Sequence, residues 1–185
     1  AWFAGRAALS KAGGFLGAGE EFEAQMSRVQ ALTRLDKNSA ELAALRAQAR
    51  KLGADTMFSA TEAAEGQAFL GMAGFDAKQI QAAMPGLLDM AKAGDTDLGR
   101  TADIGSNILG GFGLAAEEMG RVSDVLTQTM TTSNVTLEML GETMKYVAPQ
   151  ARAAGASLEE MAAMTGLLGN VGIQSSQAGT ALRAM

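Results

Sequence analysis

The sequence predicts an all-α fold of repeated helical hairpins, preceded by a helical or coiled-coil-like segment, and three observations predict it. Apolar residues recur at steps of three and four along most of the chain, the spacing that lines one face of a helix. Gly74, Gly113 and Gly155 stand 39 and 42 residues apart, each before a segment of the same layout. Small residues replace aromatic bulk: glycine reaches 23 while aromatics make up 5%, which suits closely packed helices over β-sandwiches. With only 2 prolines, long helices are permitted.

Residues 1–19 form a Gly/Ala-rich opening in which Arg6 and Lys11 leave no stretch of about 20 apolar residues. No signal-peptide order of basic, apolar and cleavage regions is visible. Trp2, Leu9 and Leu16 recur every seven residues. Two readings stand for this segment: a packing or loosely ordered stretch, or a membrane-active or tube-lining one. Residues 20–53 read as a helical hairpin or coiled-coil-like segment. Phe22, Met26 and Val29 give one stripe, and Leu42, Leu45, Ala49 and Leu52 another. Asn38 with Glu41 has capping-box spacing, and Gly53 supplies a C-terminal stop. The stripes form either the inside of one hairpin or an oligomeric seam; Phe22, Met26, Val29, Leu42, Leu45 and Leu52 are the candidate partner contacts.

Residues 54–185 carry the repeat. GFDAKQIQAAMPGLL, GLAAEEMGRVSDVL and GASLEEMAAMTGLL align without gaps over their shared length. Ile80, Met119 and Met161 coincide, as do Ala83, Val122 and Met164, and Leu87, Leu126 and Leu168. Acidic or polar residues occupy the first turn, where they complement the helix dipole. A preceding helix starts near Ser59, Asp97 and Thr136 in turn and ends at the repeated glycine. A period near 40 of this kind belongs to helical hairpin arrays, whose units complete a core by stacking. Gly71, Gly105, Gly110 and Gly141 would each cost about 1 kcal/mol in an exposed helix, so they are expected to permit close crossings or mark bends. The chain opens on Ala1 and stops at Met185 inside a helical pattern, so both ends read as cuts and the array is expected to continue.

The composition excludes most chemistry. Histidine and cysteine are both absent, which removes imidazole bases, thiol nucleophiles, disulfides and nearly every zinc site. A net charge of −5 without a run of basic residues does not suit duplex DNA or an anionic membrane, so no sequence-specific nucleic-acid binding is expected. Gly111, Gly113 and Ala116 fit G-x-G-x-x-A. A helix precedes them and Ser133 stands where the acidic residue of a dinucleotide site belongs, so turn chemistry is the better account. The neighbouring carboxylates Glu20, Glu21 and Glu23, Glu117 and Glu118, and Glu159 and Glu160 fall at helix starts, where capping roles are usual. Methionines such as Met84, Met90, Met119 and Met144 suit core filling or adaptable contacts. The sequence therefore reads as a non-enzyme, with no catalytic, cofactor-binding or metal-ligating residues.

Several stretches in order carry a family likeness: FEAQMSRVQALT, PGLLDMAKAG, the Phe112–Gly113 turn, MKYVAPQA and QAGTALR, together spanning Phe22 to Met185. In these the chain resembles the core region of phage tail tape-measure proteins. The resemblance implies a structural role as a template that sets tail-tube length. It implies a few copies, most plausibly a homotrimer, in the lumen of the tube, with tail-tube and tail-tip or baseplate hub proteins as partners. It further implies a virion component assembled in the host cytoplasm, released ahead of the DNA, with contact to the host envelope during ejection, and no cofactors. The rival reading, drawn from Ala/Gly/Met-rich helices of low charge, is a membrane-perturbing pore or effector. A fully helical chain of this length would reach about 280 Å at 1.5 Å per residue, but hairpins reach far less, so this region is expected to anchor rather than to measure.

Overall fold

The computed structural model describes residues 19–184. The described part of the first helix, α1, covers residues 19–33. It is followed by α2 (Ala40–Asp55), α3 (Ala60–Met72), α4 (Ala77–Gly94), α5 (Leu98–Phe112), a 3-10 turn (Ala116–Glu118), α6 (Met119–Thr132), α7 (Leu137–Ala154), α8 (Leu158–Asn170) and α9 (Ser175–Arg183). No strand occurs among the described residues. The all-α class expected from the sequence is what the chain adopts.

The helix starts lie where capping chemistry puts them. Ser59, Asp97 and Thr136 are N-caps whose side-chain oxygens accept backbone N–H groups of the first turn. Ser59 with Glu62, Asp76 with Gln79 and Ser157 with Glu160 close full capping boxes. Gly74, Gly113 and Gly155 take φ of 91°, 72° and 78° at the ends of α3, α5 and α7, a left-handed conformation that a side chain would strain. Two boundaries differ from expectation. The cap of α2 is Ser39, not Asn38, since the Ser39 hydroxyl accepts the Leu42 N–H at 3.2 Å. Gly53 does not stop α2, which runs to Asp55; its missing side chain instead admits the start of α3 at Ala60.

The helices form two layers. α3, α5, α7 and α9 pack in one row, and α2, α4, α6 and α8 in the other. α1 joins the first row, with Arg28 over the Phe69 ring at 5.3 Å and Leu32 beside Gly71. Neighbours within a row run parallel. Between α5 and α7, Ile104 meets Gly141 and Gly111 meets Ala148; between α6 and α8, Arg121 meets Glu159 and Ser133 meets Gly166. Contacts this close require glycine. A Cβ on Gly86 would lie 2.5 Å from the Gly120 nitrogen, and one on Gly141 would lie 2.7 Å from Ile104. Gly71, Gly105 and Gly141 thus sit at crossings as expected, but Gly110 does not, because nothing lies within 4 Å of its Cβ position.

One core runs between the layers. Met84, Met90, Met119 and Met144 are buried in it, as core filling predicts. The buried hydroxyls of Thr101, Thr129, Thr143 and Thr165 each bond a carbonyl four residues back, so these hydroxyls enter the core with a partner. An amide relay joins three helices. Pro85 in α4 has no N–H, which frees the Gln81 carbonyl. Gln48 of α2 donates to that carbonyl at 2.7 Å and accepts from the fully buried Gln67 of α3 at 3.1 Å.

Replacing Gln48 by Met keeps the bulk and strips the Gln81 carbonyl of its partner. Urea unfolding of that variant should show a loss of about 1–3 kcal/mol with an unchanged slope; an unchanged midpoint would refute the relay.

Candidate functional site: the open edge at α8

The side chains singled out as partner contacts do not lie on an open surface. Phe22, Met26, Val29, Leu42 and Leu45 are buried in the chain's own core, and Leu52 is half-buried against it. Glu23 pairs with Arg46, and Arg50 stands 5.1 Å over the Phe22 ring, so α1 and α2 close on one another as a hairpin.

Of the neighbouring carboxylates, Glu20, Glu21 and Glu117 are exposed, and Glu118 and Glu160 have local partners. Glu118 accepts the Ala115 N–H at 2.9 Å, and Glu160 accepts the Ser157 N–H at 2.8 Å. Gly111 of the G-x-G-x-x-A stretch lies against Ala148, and the Cβ space of Gly113 is taken by the Arg152 guanidinium. Among the described residues, no group of three or more acidic side chains converges as metal ligands would.

What the surface does offer is an interaction face around α8. The aligned repeat places Met164 with Val122 and Leu168 with Leu126, both of which are fully buried in α6. In α8 that expectation fails: Met164 is 40% exposed and Leu168 is half-buried. The reason is steric. Gly166 and Gly169 seat α8 against Thr129, Ser133, Asn134 and Val135. The buried face becomes Leu158, Met161, Ala162, Thr165, Gly166 and Gly169. Met164 and Leu167 turn outward, and Val171 follows at 72% exposure.

Two concavities flank this helix. A groove of about 650 Å³ separates α6 from α8, with Val125, Thr129, Ala163 and Leu167 along it. A smaller cleft of about 200 Å³ lies between Val147, Ala151, Met161, Met164 and Leu182, largely apolar. Sequence reasoning missed this face because Met164 and Leu168 occupy core positions of the aligned pattern. The signal that could have found it is the pair Gly166 and Gly169, which stands where α6 has Asp124 and Thr127 and opens a second close-packing face on α8.

Both ends of the groove are fixed. At one end Arg121 donates to both carboxylate oxygens of Glu159, at 2.7 and 2.9 Å, and to Glu118 at 2.8 Å. At the other, the Asn134 N–H donates to Asn170 at 2.8 Å, and Gln174 donates to the Asn134 carbonyl at 2.7 Å. The Arg121 hydrogen bonds hold the Glu159 carboxyl below its ordinary value of 4.5, and the two carboxylates raise Arg121. Arg121 and Glu159 are 44% and 46% exposed, so this fork sets the position of the two helix starts more than it adds stability.

Residues 46–185 match the family described as phage-related minor tail protein. Over 165 residues the chain is 45% identical to the tape measure protein of Pneumococcus phage Dp-1, covering 89% of this chain and 14% of that protein. Over 167 residues it is 40% identical to a probable tape measure protein of Escherichia phage P2, covering 90% of this chain and 20% of that one. The chain therefore spans between a seventh and a fifth of the length of these relatives. No solved structure matches it.

The fork carries a pH signature. A carboxyl whose folded-state pKa is depressed stabilises the fold above its unfolded value and loses that contribution as pH falls through the folded value. Thermal unfolding of the native chain and of Arg121→Gln should differ at about pH 7, and the difference should shrink as pH falls below the ordinary carboxylate range. A difference that persists undiminished in acid would contradict this assignment.

Proposed function

The chain belongs to the phage-related minor tail protein family, and from that premise we propose that it is a stretch of a tape measure protein, the template that sets tail-tube length. The observation that carries the reading is the identity of 40–45% over about nine-tenths of the chain with two proteins of that name. Within such a protein the stretch acts as a folded anchor. α4 and α7, at 18 residues each, are about 27 Å long, so the described residues, stacked as hairpins, reach a small part of the length they would have as one extended helix. The measuring length then falls in other parts of the longer protein.

The partners proposed with this role are tail-tube subunits and the tail-tip or baseplate hub, with the protein as a homotrimer in the tube lumen near the tip. It assembles in the host cytoplasm and leaves ahead of the DNA at infection, with contact to the host envelope on the way. The family likeness supports a virion component; the finer steps are part of the proposal. The membrane-active reading attaches to residues 1–19, of which only Gly19 lies within the described residues. Among the described residues no helix is long and apolar enough to cross a membrane.

An in-frame deletion in the parent gene, placed outside this stretch, tests the role by electron microscopy of the tails. Tails should shorten by about 1.5 Å per residue removed if the measuring part is helical. Tails of unchanged length would overturn the template reading.

A further inference from the structure

Each helix of the α2–α4–α6–α8 row has a next member lying along it, except α8. α4 meets α6 where Gly86 lies against the Met119–Gly120 backbone, and α6 meets α8 where Thr129 lies beside Gly166. On α8 the side turned away from α6 carries Met164, half-buried Leu168 and, just past the helix, Val171; the last turn of α9 reaches Met164, and no helix of the same row lies along this side among the described residues.

The other row shows what belongs there. α9 packs along α7 as α7 packs along α5: the Thr143 hydroxyl bonds the Ser175 carbonyl at 3.0 Å, and Gly179 lies against Tyr146. α9 therefore has the place of the first helix of a hairpin. Leu182 and Arg183, in its last turn, arrive beside Met161 and Met164, at the end of the array where α8 begins. A helix entered from that point and running parallel to α8, as α8 runs parallel to α6, would pass over Met164, Leu168 and Val171. It would also close the apolar cleft of about 200 Å³ under Leu182.

We propose that this face is the seat of a further helix of the same polypeptide, supplied by residues that follow Met185 in the longer protein, and that it completes the hairpin begun by α9. The matched stretch is 14% and 20% of the two curated relatives, so most of each lies outside it. The proposal rests on the chain being one stretch of a longer protein and not on its place in the tail, so tail length does not bear on it.

The absence of native cysteine makes the test clean. Met164→Cys and Val171→Cys are labelled with a thiol reagent in the 185-residue chain and in the natural polypeptide extended by about one hairpin, roughly 40 residues. Met57→Cys, 71% exposed and in the turn between α2 and α3, serves as control. Labelling at 164 and 171 should slow at least about tenfold in the extended chain only, with the control unchanged. Equal reactivity in both chains would overturn the proposal. Protection already present in the 185-residue chain and growing with its concentration would overturn it in favour of a second copy on the same face.

Discussion

The array depends on helices of one row meeting almost backbone to backbone. Gly86 against Met119 and Gly120, Gly111 against Ala148, and Gly141 against Ile104 leave no room for a Cβ on the glycine. Glycine in a helix costs about 1 kcal/mol relative to alanine when the site is open. Here that cost is offset by contact area along two parallel helices, since dispersion and apolar burial grow with every atom brought into reach. The low aromatic content follows from the same constraint. Spacing set by Gly and Ala leaves gaps of irregular shape, and flexible methionines such as Met84, Met90 and Met119 fill them.

Close rows make a structure in which each hairpin touches mainly its neighbours, so stability accumulates unit by unit and growth has a direction. Local chemistry marks the ends of each unit: capping boxes at Ser59, Asp76 and Ser157, and left-handed glycines at 74, 113 and 155. Longer-range bonds then hold register. The Gln67–Gln48–Gln81 relay ties α3, α2 and α4, and the Arg121 fork ties α6 to α8. A stacked array of this kind shortens the chain relative to an extended helix, which is the physical ground of the anchoring role proposed above.

Legibility in the sequence followed the range of the interactions. Helix starts at Ser59, Asp97 and Thr136 were readable because a cap is decided within four residues. The all-α class was readable from periodicity. The errors arose where distant packing decides. Gly53 looked like a stop, yet it serves a contact with Ala60, and Gly110, read as a crossing or a bend, faces open space and so makes no crossing. Met164 and Leu168 looked like core from their alignment, but the small faces of Gly166 and Gly169 turned α8 and brought Met164 outward. The candidate contacts from Phe22 to Leu52 carry a pattern that admits a hairpin or a seam. The burial of Phe22, Met26, Val29, Leu42 and Leu45 within the chain, with Arg46 and Arg50 over α1, depends on contacts between α1 and α2 that no local pattern carries.

The governing constraint is tested most directly by the sign of two Gly→Ala changes inside helices, read by urea unfolding. At Gly110, with nothing near, alanine should stabilise by up to about 1 kcal/mol through helix propensity alone. At Gly86, where a Cβ would stand 2.5 Å from backbone, the same change should destabilise by about 1–3 kcal/mol despite that gain. Stabilisation at both positions would contradict the account, because it would mean that helices of one row do not approach closely enough for a methyl group to matter.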